Sequence, residues 1–160
     1  MRQVVPLPIW IGHAGDGRDH AAIQAAGLRA LVQLAIEEPG LPTPRDLIAF
    51  RIPLFDGPGN PPEVLGLAIR LVADLLGRRI PTLVCCGAGM SRSPSILAAA
   101  MAIRLGESPE TALARVLGSG PRDVSPGLWN DVLHLLRAAV EPRDGATSHP
   151  DPGRDRMPFP

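Results

Sequence analysis

A short loop between a buried strand and a helix constrains this chain more than any other feature. The apolar run Thr82–Cys85 predicts a buried strand, the glycines after it predict a tight loop, and a helix-like segment begins at Arg92. Cys86 opens the loop and Arg92 closes it, with five residues between them. A loop of this length can curl so that its backbone N–H groups point inward at the positive end of the helix. The sequence therefore predicts an oxyanion-binding loop.

The side chains at the two ends of this loop suit chemistry on a phosphate group. The planar guanidinium of Arg92 can bind two oxygens at once, and a thiolate at Cys86 is favoured beside a helix N-terminus. Lowering a cysteine pKa by about three units requires roughly 4 kcal/mol, whereas the helix dipole supplies about 0.3–2 kcal/mol. We expect the loop amides, Arg92 and the Ser93 hydroxyl to supply the remainder. Cys86 is then the candidate nucleophile.

The surrounding pattern favours a catalytic cysteine over a structural one. A free cysteine after a buried strand is, taken alone, more often a small core residue. Here Cys86 is followed by Gly89, Arg92 and Ser93. A random cysteine would have glycine, arginine, and serine or threonine at these three spacings in roughly one case in several hundred. The expected strand, loop and helix are also present around it.

Strand-like and helix-like segments alternate along the first 140 residues. Strands are predicted at 8–12, 28–35, 46–54 and 82–85, and helices at 20–26, 61–76, 92–105, 109–118 and 126–140. Residues 13–18 are predicted to be a glycine-rich loop. Asn60 is predicted to cap the helix at 61–76. This alternation predicts an α/β fold: a single domain with a central, mostly parallel sheet flanked by helices. We expect the domain to cover 1–140 and a disordered, proline-rich tail to cover 141–160.

Charge and composition exclude several classes of function. The 16 basic residues are all arginine and balance 16 acidic residues, which argues against electrostatic binding to nucleic acid or to an anionic membrane. The absence of lysine excludes Schiff-base and P-loop chemistry. No apolar run approaches the roughly 18 residues of a membrane span, and the first ten residues do not form a secretory signal.

The two cysteines are adjacent, at Cys85 and Cys86. Neighbouring Cα atoms lie about 3.8 Å apart, whereas ordinary disulfides span about 4.4–6.8 Å. We therefore expect two free thiols and a cytoplasmic location, and we expect the protein to be a monomer. The scattered histidines lack zinc-binding spacing with these cysteines, so no metal is expected.

The segment Cys86–Ser93 resembles the C-x-x-G-x-x-R-[ST] loop, or CX5R phosphate loop, of cysteine-dependent protein phosphatases, and most of all the dual-specificity phosphatases. The resemblance covers residues 5–140 and is most evident from 51 to 118. It implies a protein tyrosine phosphatase-like fold that hydrolyses phosphotyrosine, with phosphoserine and phosphothreonine as further candidates, through a phosphocysteine intermediate and without a cofactor. It also implies that phosphate is bound by residues Gly87, Ala88, Gly89, Met90, Ser91 and Arg92.

The same resemblance assigns a role to Asp56. In that family an aspartate lies on a loop about thirty residues before the cysteine, and Asp56 precedes Cys86 by thirty residues in a turn-rich segment. The resemblance implies that Asp56 protonates the leaving oxygen and then deprotonates the attacking water, and that Ser93 helps the sulfur to leave. Without the family pattern, Asp56 is more simply a turn residue that bonds to its own backbone.

Two positions depart from the family pattern. Cys85 stands where histidine usually precedes the nucleophile, and the segment 123–129 lacks an asparagine that relatives often have. The neighbouring thiol raises the hypothesis that Cys85 traps an oxidised Cys86. Three alternatives to a protein phosphatase stay open: a binding-only pseudophosphatase, an arsenate reductase or related thiolate enzyme, and a phosphatase of small phosphomonoesters.

Overall fold

The chain alternates strands and helices, as a computed structural model shows for residues 1–40, 42–118 and 123–140. The strands are β1 (Arg2–Gln3), β2 (Ile9–His13), β3 (Ala30–Ala35), β4 (Ile48–Leu54) and β5 (Thr82–Cys86). The helices are α1 (Ala14–Arg18), α2 (His20–Ala25), α3 (Pro62–Gly77), α4 (Arg92–Leu105), α5 (Pro109–Leu117) and α6 (Pro126–Val140). The four predicted strands and five predicted helices each match an observed element to within two residues at either end.

The strands form one sheet in the order β1-β2-β5-β3-β4. All neighbouring strands are parallel except β1, which pairs with β2 in the antiparallel direction. The predicted single-domain α/β fold with a mostly parallel sheet is thus confirmed. The predicted tail at 141–160 lies outside the described residues, so the boundary at 140 stays a prediction.

Helices cover both faces of the sheet. On one face α4 packs against the sheet and against α3, α5 and α6, and its first ten residues, Arg92–Met101, are all buried. The run of alanines within α4 allows this close packing on all sides. On the other face Ile23 of α2 packs with Leu31, Leu83 and Cys85 from the central strands. Both central strands, β3 and β5, are consequently buried along their whole length.

Two short elements near the N-terminus were not predicted. Strand β1 adds an antiparallel edge next to β2. The predicted glycine-rich loop at 13–18 is wrong, because residues Ala14–Arg18 form helix α1. A reciprocal cap offsets the helix-breaking tendency of the glycines: the His13 side chain accepts a hydrogen bond from the Asp16 amide at 3.2 Å, and the Asp16 side chain accepts one from the His13 amide at 2.9 Å.

The prediction that Asn60 caps the next helix is also wrong. Pro61 occupies the N-cap position of α3, without a side-chain hydrogen bond. The buried Asn60 side chain instead folds back onto the preceding loop. Its Oδ1 accepts from the Phe55 amide at 2.8 Å, and its Nδ2 donates to the carbonyls of Phe55 and Gly57, both at 3.1 Å. Asn60 therefore fixes the shape of the loop that carries Asp56.

Three neighbouring strands end at the same edge of the sheet and deliver three polar side chains there. Glu37 follows β3 by two residues, Asp56 follows β4 by two residues, and Cys86 is the last residue of β5. In parallel α/β sheets this carboxyl edge is where ligands bind. The fold therefore places all three segments around one candidate site.

We predict that Gly89→Ala destabilises the protein. Gly89 has φ +75, and a Cβ there would lie 2.7 Å from the Gly12 carbonyl oxygen of the neighbouring strand β2. Left-handed backbone and a backbone clash together should cost about 1–3 kcal/mol of unfolding free energy, measured by urea denaturation. The control is Gly40→Ala, where the nearest atom to the new Cβ lies 3.7 Å away. Equal stability of the two variants would contradict the prediction.

Candidate active site

In the described part of the chain, the loop between β5 and α4 has backbone amides without hydrogen-bond partners. Gly89 turns the chain back with its positive φ, and the Gly87 carbonyl accepts a hydrogen bond from the Ala14 amide at 3.1 Å. None of the amides at 88–93 donates a hydrogen bond to any group within residues 1–40, 42–118 and 123–140. Unused donors gathered at a helix N-terminus are typical of an oxyanion site.

Arg92 lies beneath this loop and is anchored along one side of its guanidinium. It is 2% exposed. Its Nη1 donates to Glu37 Oε2 at 2.6 Å and to the Leu54 carbonyl at 3.1 Å, and its Nη2 donates to Glu37 Oε1 at 2.5 Å. A Cβ on Gly87 would lie 3.1 Å from Nη2, so the guanidinium lies directly beside the start of the loop. Among the described residues, the buried Nε of Arg92 has no hydrogen-bond partner.

The charges of this cluster reinforce one another. Burial by itself lowers the pKa of Arg92, but the hydrogen bonds to Glu37 and the nearby charges of Cys86, Glu37 and Asp56 outweigh it and raise that pKa. Hydrogen bonding to Arg92 holds the pKa of Glu37 below its ordinary value of 4.5, against a smaller opposing effect of burial. Both partners therefore stay ionised at neutral pH.

Glu37 was not predicted, and two arginines fix the segment that carries it. Arg51 donates to the Ile36 carbonyl at 3.3 Å and to the Glu38 carbonyl at 2.9 Å. Arg18 forms an ion pair with the Glu38 side chain. The available signal was an acidic pair directly after a buried strand, at the edge where the cysteine loop also begins.

Asp56 lies against the loop between β5 and α4, although it is thirty residues before Cys86 in sequence. Its side chain is 45% exposed and its Oδ2 lies 3.6 Å from Arg92 Nη2. Its Oδ1 accepts a hydrogen bond from the Ser91 hydroxyl at 2.5 Å. The structure thus brings Asp56, Ser91 and Arg92 together at one edge of the sheet.

Ser91 also connects the loop to α6. Its hydroxyl accepts a hydrogen bond from the Ser125 backbone amide at 3.1 Å. The segment 123–129 lacks the asparagine of the family pattern. The backbone amide of Ser125, in that segment, nevertheless contacts the loop between β5 and α4.

Cys86 and Ser93 lie at the two ends of the loop, and both are buried. Cys86 ends β5 and is 2% exposed. The Ser93 hydroxyl is fully buried and has no hydrogen-bond partner in the part of the chain that the structure describes. Two polar atoms, this hydroxyl and Arg92 Nε, are therefore buried around the loop without partners there.

Cys85 faces the side of the sheet opposite to Cys86. Successive strand residues alternate in direction, and the two cysteines belong to separate apolar clusters, one on each face. Burial raises the pKa of the Cys85 thiol to about 12, and the charges of Cys86 and Asp16 act in the same direction. Cys85 is consequently a buried thiol at neutral pH, directed away from the loop.

The described residues contain neither a metal-binding cluster nor a membrane-spanning helix. No group of three or more His, Cys, Asp or Glu side chains in residues 1–40, 42–118 and 123–140 could hold a metal ion. Among the helices of the same ranges, none has both the length and the apolar character that a membrane span requires.

The sheet order, the loop after β5 and the buried helix α4 together form the fold of the dual-specificity protein phosphatases. Human DUSP28 has this fold, with a TM-score of 0.76 and 23% identity over 87% of this chain and 97% of that one. A mouse putative dual-specificity phosphatase complexed with zinc tungstate has a TM-score of 0.73 and 23% identity over 85% of this chain and 86% of its own.

A third similar structure is named as a phosphatase-like interacting protein rather than as a phosphatase. The human tyrosine phosphatase-like serine/threonine/tyrosine-interacting protein has a TM-score of 0.73 and 16% identity, over 88% of this chain and 98% of that one. A scan against protein-family models and a search of curated proteins each found no match. At these identities the similarity concerns the fold.

We predict that Glu37→Gln destabilises the protein in a pH-dependent way. The pKa of Glu37 is lower in the folded chain than its ordinary 4.5, so its stabilising contribution is present above that value and is lost as the pH falls through the lower folded value. Urea denaturation should therefore show a large difference between wild type and variant at about pH 7, and the difference should shrink as the pH is lowered below 4.5. Glu110→Gln, on the exposed side of α5, should change the stability less. A pH-independent difference would contradict this role of Glu37.

We predict that peroxide does not join Cys85 to Cys86. Their side chains lie on opposite faces, and the raised pKa of Cys85, about 12, keeps it protonated at neutral pH, whereas disulfide exchange requires a thiolate. After peroxide treatment and unfolding, mass spectrometry should find Cys85 still open to alkylation. A peptide two hydrogens lighter, with neither cysteine alkylated, would restore the redox hypothesis.

Proposed function

We propose that this protein is a cysteine-dependent protein phosphatase that hydrolyses phosphate monoesters through a phosphocysteine. The observation that supports it most is the set of unpaired donors around the loop: Arg92 Nε, the Ser93 hydroxyl and the amides at 88–93, which have no partner among the described residues. Leaving the two buried side-chain donors, Arg92 Nε and the Ser93 hydroxyl, unpaired costs about 1–3 kcal/mol each. A bound tetrahedral oxyanion would pair with Arg92 Nε and the amides, and the Cys86 sulfur would accept from the Ser93 hydroxyl.

The first step in this proposal transfers the phosphoryl group to sulfur. The Cys86 thiolate attacks phosphorus, an S–P bond forms, and the P–O bond to the leaving group breaks. Asp56, in its acid form, gives its proton to the leaving oxygen. The loop amides and Arg92 bind the three equatorial oxygens, where negative charge is concentrated in the transition state.

The second step releases inorganic phosphate. Asp56, now a carboxylate, takes a proton from a water molecule that attacks phosphorus. The S–P bond breaks and the Cys86 thiolate is regenerated, with the Ser93 hydroxyl donating a hydrogen bond to the departing sulfur. Ser93 is buried close to the loop and has no other partner in the described chain, which supports this role.

The anchoring of Arg92 supports its role as the phosphate-binding side chain. Nη1 donates to Glu37 and to the Leu54 carbonyl, and Nη2 donates one hydrogen bond to Glu37. Because these bonds hold the guanidinium on one side, its Nε is kept free for an oxygen of the substrate. A pre-positioned donor costs no reorganisation when the reaction occurs.

The proposed substrates are proteins that carry phosphotyrosine, with phosphoserine and phosphothreonine as further candidates. The loop residues Gly87, Ala88, Gly89 and Met90 carry no charge. A ligand with several phosphates would be better served by additional cations at these positions, which makes an inositol phospholipid a poorer candidate. We also propose that the protein acts as a cytoplasmic monomer.

A binding-only role is the second candidate. Cys85 replaces the histidine usual before the nucleophile, and one structure with this fold is named for an interacting protein that is phosphatase-like. Such a protein would bind phosphorylated partners through the same loop without hydrolysing them. The tungstate named with the mouse structure is likewise a tetrahedral oxyanion, so both candidates predict oxyanion binding, and only turnover separates them.

We predict that the wild type hydrolyses p-nitrophenyl phosphate in the presence of a chelator and that Cys86→Ser has no activity, because a serine hydroxyl stays protonated where a thiolate forms. The control is Cys85→Ser, which should keep the activity, since that side chain faces the other side of the sheet. Full activity of Cys86→Ser would overturn the mechanism. Tungstate binding without any turnover would favour the binding-only role.

Asp56→Ala should affect poor leaving groups far more than good ones. Losing general-acid catalysis costs about 10²–10⁴-fold, and most of that loss falls on substrates whose leaving oxygen needs a proton. The measurement compares kcat for phenyl phosphate and p-nitrophenyl phosphate. Arsenate reductases and sulfurtransferases do not require this aspartate, so equal losses on both substrates would count against a phosphatase mechanism.

A further inference from the structure

We propose that Ser91 is a positioning residue for Asp56, and that it decides which carboxyl oxygen of Asp56 carries the catalytic proton. This inference rests on the phosphatase function proposed above. The resemblance to the phosphate loop gives Ser91 a role only through its backbone amide. The inference concerns the Ser91 side chain.

The position of Ser91 in the fold argues against an ordinary capping role. Ser91 is the N-cap residue of α4, where a serine normally accepts a hydrogen bond from an amide of the first helical turn. Ser91 makes no such bond. It is 4% exposed, and its hydroxyl contacts Asp56 and Ser125 instead. The hydroxyl therefore serves a contact between loops rather than the helix.

The hydrogen-bond pattern fixes the direction of the Ser91 hydroxyl. A serine hydroxyl has one hydrogen to donate and two lone pairs that accept. The Ser125 amide can only donate, so it uses a lone pair of Ser91 Oγ at 3.1 Å. An ionised carboxylate can only accept, so the single hydrogen of Ser91 is donated to Asp56 Oδ1 at 2.5 Å.

This direction determines the protonated oxygen of Asp56. Because Oδ1 already accepts the Ser91 hydrogen, the acid form of Asp56 carries its proton on Oδ2. Oδ2 is the oxygen that lies 3.6 Å from Arg92 Nη2. The proton is therefore held on the side of the carboxyl group that faces Arg92, the side chain that binds the phosphate in the proposed reaction. Within the described residues, Ser91 and Arg92 are the only side chains that hydrogen-bond to or form an ion pair with the Asp56 carboxyl group.

The test compares Ser91→Ala with Ser95→Ala. Ser95 also has a buried hydroxyl in the same region, and it donates to the Ser91 carbonyl at 2.8 Å without contacting Asp56. Ser91→Ala should lower kcat on phenyl phosphate about tenfold and on p-nitrophenyl phosphate less than about twofold, a part of the full general-acid effect. Ser95→Ala should lower stability but keep the ratio of the two rates. Ser91→Thr, which keeps the hydroxyl, should restore the ratio.

A double variant separates positioning from a general structural effect. If Ser91 acts only through Asp56, then Ser91→Ala should cause almost no further loss on phenyl phosphate in an Asp56→Ala background. Fully additive losses, or an unchanged ratio of rates in Ser91→Ala, would overturn the proposal. If Ser91→Ala does not fold, Ser91→Cys retains a similar volume with a weaker donor and gives the same comparison.

A measurement without turnover distinguishes failure of this inference from failure of the phosphatase function. Ser91→Ala should speed hydrogen exchange of the loop amides at 55, 56, 57 and 59, whereas Ser95→Ala should not. If exchange is faster in Ser91→Ala but the wild type hydrolyses no phosphate, the phosphatase function is rejected and the Ser91–Asp56 contact is kept. Unchanged exchange would reject the contact even if the wild type is an active phosphatase.

Discussion

The bidentate ion pair between Arg92 and Glu37 is the interaction on which the candidate site depends. A guanidinium that is 2% exposed has lost most of its hydration, which costs several kcal/mol unless a charged partner and further acceptors replace the water. Glu37 supplies the opposite charge, and the Leu54 carbonyl supplies a further acceptor. These bonds occupy one side of the guanidinium and leave Nε unpaired among the described residues. The same interaction therefore stabilises the buried arginine and fixes the orientation of its guanidinium.

The sheet topology makes this arrangement possible. β5 lies next to β3, and β3 lies next to β4, all in parallel. Their carboxyl ends therefore meet at one edge, which brings Cys86, Glu37 and Asp56 close together from three distant parts of the sequence. Arginines support this edge as well, because Arg18 and Arg51 hold the segment around Glu37. Separate loops then meet at single side chains: Asn60 shapes the loop of Asp56, and the Ser91 hydroxyl joins that loop to the phosphate loop and to α6.

Local patterns allowed the four longer strands, five of the helices and the loop between β5 and α4 to be predicted. Each of these depends on residues that are near neighbours in sequence: apolar runs, helical spacing, and glycines at a strand end. Glu37 could not be predicted in the same way, because it is 55 residues from Arg92 in sequence. The predictions for Asn60 and for residues 13–18 were wrong because side-chain hydrogen bonds outweighed the local preference. The Asn60 side chain, which suits a helix cap, bonds to the preceding loop instead. At residues 13–18, a reciprocal cap offsets the helix-breaking tendency of two glycines.

The sequence by itself determined the order of strands and helices and the identity of the loop that holds Cys86 and Arg92, since backbone preferences and the spacing of apolar residues act over short distances. Only the tertiary structure decided which groups surround that loop. Glu37 beneath Arg92, Ser91 bonded to Asp56, and Cys85 on the opposite face of the sheet all follow from how the strands are ordered and how their loops meet. Ion pairs and hydrogen bonds act over a few ångströms in space, and a linear sequence does not record which of its segments will come within that range.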